Sequence, residues 1–170
     1  MSISQAMLPE FDIEMSHTRK LLALVPEDKL DWRAHEKSMT LRDIATHLAK
    51  LPAWTMATIS QDELDVAPKE PDPFLNVSPV ASVAEALKNF DGNVAQAHDT
   101  LEGASDETMM SGWTLLSGGE KVFTMPKVAV MRSFVISHII HHRAQLGVYL
   151  RMCDIPLPAI YGNSADENPM

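Results

Sequence analysis

Three things are scarce in this sequence, and each scarcity excludes something. There is one cysteine, Cys153, so no internal disulfide can form, and an odd thiol points to a reducing compartment. Positive charge is scarce too: 14 Lys+Arg stand against 23 Asp+Glu, for a formal charge of −9. Affinity for nucleic acid comes largely from basic neutralisation of phosphate, so DNA and RNA are discounted as partners. Long apolar runs are missing as well. The most apolar window, Val128 to Ile140, is interrupted by Arg132 and followed by His141, His142 and Arg143, so it reads as a buried helix and not a bilayer span. Met1 to Glu10 has no basic stretch leading into an apolar core, which argues against secretion. The expectation is a cytoplasmic protein with no membrane partner.

What is present suffices for one domain, residues 1–170. A chain of 170 residues buries roughly 70% of its unfolded surface and needs no staple. From Ile3 to Val25 a stripe of Phe11, Met15, Thr18, Leu22 and Val25 has helical spacing, with Pro9 near the first turn. Ser38 or Thr40 can cap a second helix, from Leu41 toward Ser60, whose core side carries Leu41, Ile44, Leu48 and Leu51 with His47 in the same sector. Pro52 removes a hydrogen bond one turn later and predicts a kink just past the histidine. Residues 62–79 read as a long irregular connection. Ser82 or Ser78 starts a third helix through Val83, Leu87, Phe90, Val94 and Leu101, and Gly103 stops it. In the connection from Ala104 to Met125, two short apolar pieces flank Gly118-Gly119 and can pair as a small hairpin. Pro126 opens a fourth helix that continues to about Arg151, and residues 155–170 form a proline-rich extended tail ending in a frayed acidic stretch.

Four long helices and two long connections, between the second and third and the third and fourth, predict an all-α four-helix bundle. The fourth helix is apolar on more than one face, at Val128, Val130, Met131, Phe134, Val135, Ile136, Ile139 and Ile140. That surplus calls for a further cover, and a homodimer through the fourth helix, and also the first, is the economical one.

The chemistry concentrates in Ser137 to Leu146, where three of seven histidines fall within five residues. On a helix His138 and His142 point from one face, the spacing two imidazoles need to share a metal ion. With His47 they make three nitrogen ligands for zinc or nickel, leaving a position open. The same spacing also fits core histidines bonded to their neighbours. His141 lies one position off that face and reads as a supporting or interface residue, or as a substitute ligand for His142.

The His47 segment Leu41-Arg42-Asp43-Ile44-Ala45-Thr46-His47-Leu48, the run His138-x-x-His141-His142-Arg143-x-Gln145-Leu146, Tyr149-Leu150-Arg151, and Pro158-x-Ile160-Tyr161-Gly162-x-Ser164 together resemble the DinB-like (YfiT-like) metalloprotein superfamily. The lesion-bypass polymerase that shares the DinB label is a different protein. The resemblance extends over essentially the whole chain, including Leu24-x-Pro26-Glu27-x-x-Leu30-x-Trp32, with Ala144 departing where many relatives carry glycine. It implies a four-helix bundle in up-down-down-up order, frequent dimerisation, and a divalent metal on three histidines matching His47, His138 and His142. Members of known activity are similar to thiol S-transferases, thiol-dependent isomerases or hydrolases.

A transferase would use the metal to lower the pKa of a low-molecular-weight thiol beside an electrophilic small-molecule substrate. A hydrolase would need a carboxylate base, and Asp43 is the only acid near the metal helices, where it reads better as a helix-start residue. Thiol transfer is therefore the favoured reading; a metal-dependent hydrolase and a non-catalytic dimeric metal-binding protein are the alternatives. Trp54, Trp113 and Tyr161 can wall a pocket or simply pack, and Gln145 and Tyr149 can support the ligands. Cations such as Arg42, Lys50, Arg132 or Arg143 would have to offset the acidic field for an anionic thiol, although Arg143, which can also tie down the tail, reads better as a structural donor to backbone carbonyls. Cys153 reads as a small buried hydrophobe, and His17, His35 and His98 receive no site.

Overall fold

The computed structural model describes residues 1–167, so the last three residues of the predicted tail lie outside the described residues. Helix α1 (Ile3–Leu22) begins at a capping box in which the Ser2 hydroxyl accepts from the Gln5 N–H and the Gln5 side chain accepts from the Ser2 N–H. That cap starts the helix a turn earlier than the sequence reading placed it, so Pro9 falls inside α1. The stripe Phe11, Met15, Thr18, Leu22 and Val25 is buried throughout.

Helix α2 (Leu41–Lys50) starts at a second capping box, between Thr40 and Asp43. Pro52 has no N–H to return to Leu48, and the backbone tightens into a 3-10 turn, Leu51–Ala53, before α3 (Trp54–Ser60) resumes. Helix α4 (Val83–Glu102) runs from a Ser82 cap to Gly103, followed by the short α5 (Asp106–Met110). The final helical stretch has three parts: α6 (Lys127–Val130), a π-helical segment (Met131–Ile136), and α7 (Ser137–Met152).

The predicted all-α four-helix bundle needs correction, because the helices share the molecule with a three-stranded mixed sheet. Its strands are β1 (Glu63–Asp65), β2 (Gly112–Ser117) and β3 (Glu120–Pro126), in the order β1-β2-β3. The β2–β3 pair is the antiparallel hairpin, and both turn glycines have positive φ, 64° at Gly118 and 84° at Gly119, as a two-residue hairpin turn requires. β1 joins parallel to β2, with Leu64 opposite Leu115. The Asp65 carboxylate accepts from the N–H groups of Ala67, Gly118 and Gly119, fastening the strand to the turn and holding its own pKa below the usual carboxylate range.

Two apolar clusters result. The larger joins Phe11, Met15, Ile44, Leu48, Phe90, Leu101, Ile139 and Leu146 across α1, α2, α4 and α7. The smaller packs Ala57, Leu64, Trp113 and Val130 beneath the sheet, with Phe123 and Phe134 at its edge. Sheet and helices thus cover most of the apolar surplus that the sequence assigned to a partner. Beyond the last helix, Ile155, Leu157 and Ile160 pack on the core. The acidic end is not frayed up to residue 167: Asp166 pairs with Arg151 and Glu167 accepts from the Ala159 N–H.

Candidate metal centre

Helix α2 presents His47 and α7 presents His138 and His142, and the structure brings all three together. The Nε2 atoms of His138 and His142 are 2.9 Å apart, and that of His47 is 3.2 Å from that of His138. One donor atom from each residue lies within 4.8 Å of the others, a group that could hold a metal ion. The rings of His47 and His142 meet nearly edge to face, with centroids 4.4 Å apart and planes at 81°.

The backbone that aims them has a local cause. A π turn holds one residue more than an α turn and so rotates everything after it by about 100°. Across the Met131–Ile136 segment the helix changes what it faces: Val130 and Phe134 pack toward the sheet, whereas His138 and His142 meet α2.

Burial disfavours the imidazolium form at all three positions. His47 is lowered to about 4, first by burial and then by the neighbouring His142 and His138. Burial also lowers His138 and His142, while the Phe134 carbonyl and Gln145 respectively pull the other way. The histidines are therefore neutral at pH 7, the state that ligates. His142 Nδ1 sits 2.7 Å from Gln145 Oε1; that acceptor demands a proton on Nδ1 and leaves the Nε2 lone pair turned inward. Nε2 atoms 2.9 and 3.2 Å apart are close enough to share either a proton, as an N–H···N hydrogen bond, or a cation. Tetrahedral zinc, with Zn–N of about 2.0–2.1 Å, separates its ligands by about 3.3 Å, and the two Nε2 separations of 2.9 and 3.2 Å lie near that value. No Asp, Glu or Cys joins the cluster among the described residues.

The remaining candidates separate cleanly. Asp43 spends its carboxylate on the Thr40 N–H, which keeps its pKa low, and is a capping residue. His141 is exposed and touches the cluster only through the His142 ring, 4.8 Å away. Trp113 is fully buried with its indole N–H on the Ala57 carbonyl, 3.1 Å, so it is core and not a pocket wall. Tyr149 packs edge-on against Trp32, 5.5 Å between centroids. Trp54 leans on Phe74, 5.9 Å away. Cys153 is buried, and His98 lies between Asp12 and Asp99.

Arg143 heads a second polar cluster, in the structural role the sequence favours for it; what the sequence reading missed is its buried partner Glu14. Its guanidinium pairs with Glu14 at 2.6 Å, both side chains buried, and also donates to the Glu14 backbone carbonyl and the Tyr161 hydroxyl. Tyr161 in turn donates to the Glu14 carboxylate, which ties the tail to α1 and α7. His17 stands edge-on to the Tyr161 ring at 5.5 Å. The available signal was Glu14 itself, an acid inside the apolar sector between Phe11 and Thr18.

A helical frame that turns three uncharged imidazoles toward one point defines a candidate metalloprotein. Residues 10–146 match the DinB superfamily, and the chain belongs to that family. It is 26% identical over 164 residues to the uncharacterized protein YrdA of Bacillus subtilis (strain 168), covering 94% of this chain and 89% of that one. Its fold is similar to the crystal structure of a DinB-like protein from Bacillus cereus ATCC 10987, with a TM-score of 0.71, 17% identity, and 94% and 98% of the two chains covered. The DinB-like protein YjoA of Bacillus subtilis is similar at a TM-score of 0.69 and 16% identity, covering 92% and 99%. Among the described residues, no helix is long and apolar enough to cross a membrane.

Proposed function

We propose that His47, His138 and His142 hold a divalent metal ion, zinc or nickel, through Nε2, and that the protein transfers a low-molecular-weight thiol to an electrophilic small molecule. The observation that carries this reading is the convergence of three neutral imidazoles, one of them fixed in its tautomer by Gln145. A bound ion would supply the Lewis acidity that keeps a thiol ionised at neutral pH. The chain's part is to hold three of the ion's positions with uncharged ligands, leaving its charge undiminished for the sulfur. The thiol proton is released to solvent. Sulfur then forms the new bond to carbon as the leaving group departs with the electron pair. No carboxylate joins the cluster among the described residues, so a hydrolase built here would rely on the ion alone to ionise its water, whereas thiol transfer asks for no protein base.

The test is turnover of an electrophile by metal-loaded protein with and without added thiol, beside metal content in His47→Ala. Thiol-dependent turnover and loss of metal from the variant are expected. Thiol-independent turnover would overturn the transferase, and unchanged metal content the ligand set. The same reading includes a homodimer through α7. Ile140, Ala144, Val148 and Met152 follow one another four residues apart, and Val148 and Met152 are 58% and 55% exposed. A light-scattering mass of one chain at micromolar concentration would sink it.

A further inference from the structure

The larger of two adjoining clefts has a volume of about 410 Å³ and opens between α2 and α4. Its walls include Thr46 and Lys50 from α2, Phe74 and Val77 from the connection after β1, and Asn89 and Asn93 from α4. The smaller, about 230 Å³, shares Thr46, Lys50 and Val77 with it and adds His47. Lys50 therefore stands between the larger cleft and the histidine cluster, one helical turn from His47 on the same side of α2.

Charge singles out the same residue. Of the four cations named from the sequence, Arg42 is paired with Asp31, Arg132 with Glu10 and Arg143 with Glu14. Lys50 has no carboxylate within 4.0 Å among the described residues, and neither has Lys88 on the same wall, but only Lys50 also borders the smaller cleft that reaches His47. It gives one hydrogen to the Leu75 carbonyl at 2.9 Å and lies 5.2 Å from the centre of the Phe74 ring. An ammonium has three donors, so two remain for a ligand. Across the cleft, the Asn93 amide nitrogen donates to the Ala49 carbonyl at 2.9 Å, which leaves its Oδ1 to accept an N–H. A cation for a carboxylate beside an acceptor for an amide hydrogen is the complement of a peptide-like acid. The larger cleft lies within the volume range of small-molecule sites, about 300–1,000 Å³.

We propose that this cleft binds the carboxylate end of an amide-linked small molecule, anchored by Lys50 and oriented by Asn93, with the other end directed past Thr46 to His47. As the thiol cosubstrate, that molecule rests on the reading given under Proposed function; as a ligand of the cleft it does not. Lys50 is then the residue that selects anionic thiols over neutral ones, which a chain of net charge −9 otherwise repels.

Isothermal titration of metal-loaded protein with S-methylglutathione tests this, because a thioether cannot supply a thiolate and the Lys50 variants separate binding in the cleft from contact with the ion. Wild-type protein binds; Lys50→Gln, which keeps a donor for Leu75, weakens binding at least tenfold. Lys50→Met, which keeps the stem over Phe74, weakens it as much, and Lys50→Arg restores it to within threefold. Metal content per chain stays that of the wild type in all three. Equal affinity in wild type and Lys50→Gln, or no binding by the wild type, overturns the proposal. Lys50-dependent binding without thiol-dependent turnover sustains it and overturns the transferase instead.

Discussion

His142 and Arg143 are consecutive in the chain and belong to two polar clusters, one half-buried and one buried, that obey opposite rules. Around Arg143 every strong group is answered: its guanidinium has the Glu14 carboxylate and carbonyl, and Tyr161 closes the ring. Around His142 three bases face one another with no acid among them. A saturated ion pair fixes geometry and has nothing left to bind with. A set of convergent neutral imidazoles with only one another for partners is weaker structure and a better receptor. The difference separates the part of α7 that holds the frame from the part that acts.

The sharpest way to break this contrast is Arg143→Ala. It strands the Glu14 carboxylate in the interior and is expected to cost about 3–5 kcal/mol of stability. Urea unfolding measures that loss, while the metal content of the folded fraction is expected to stay at wild-type level. A loss below about 1 kcal/mol would show that the pair is not structural. The next effect lies on the other side. Gln145→Ala removes the acceptor that fixes His142 and is expected to weaken metal binding about 10–100-fold with little change in the stability of metal-free protein. Competition with a chelator of known affinity reads the change, and an unaltered constant would remove Gln145 from the site.

The parts of this arrangement legible in the sequence are those specified by local chemistry. Thr40 with Asp43, Pro52, and Ser82 with Gly103 mark helix ends because caps and breakers act within a few residues. His47, His138 and His142 were named from helical spacing and family resemblance, and theirs are the nitrogens that meet. β1 escaped because three residues, Glu63–Asp65, are too few to show alternation, and their parallel partner lies about fifty residues away. With β1 unseen and the hairpin not placed against the last helix, Val130 and Phe134 looked like surface in need of a partner. The π segment escaped because Met131, Val135 and Ile136 are apolar in either register. Glu14 was passed over because an acid within an apolar stripe has no local explanation; its partners are 129 and 147 residues away.

The smallest effect sharpens the comparison within the saturated cluster itself. Tyr161 belongs to the tail, and the residue as a whole is 68% exposed, yet its hydroxyl completes the Glu14–Arg143 pair. Burial and the Glu14 hydrogen bond raise its pKa, so at neutral pH the phenol is a donor. Tyr161→Phe leaves the ion pair intact and deletes only that donor, for an expected loss of about 1 kcal/mol with metal content unchanged. Because the hydroxyl is also what ties the tail to α1, amide exchange in residues 155–164 should accelerate while exchange in α7 does not. Acceleration in both would mean that the tail braces the metal helix, and that the two clusters on α7 are coupled after all.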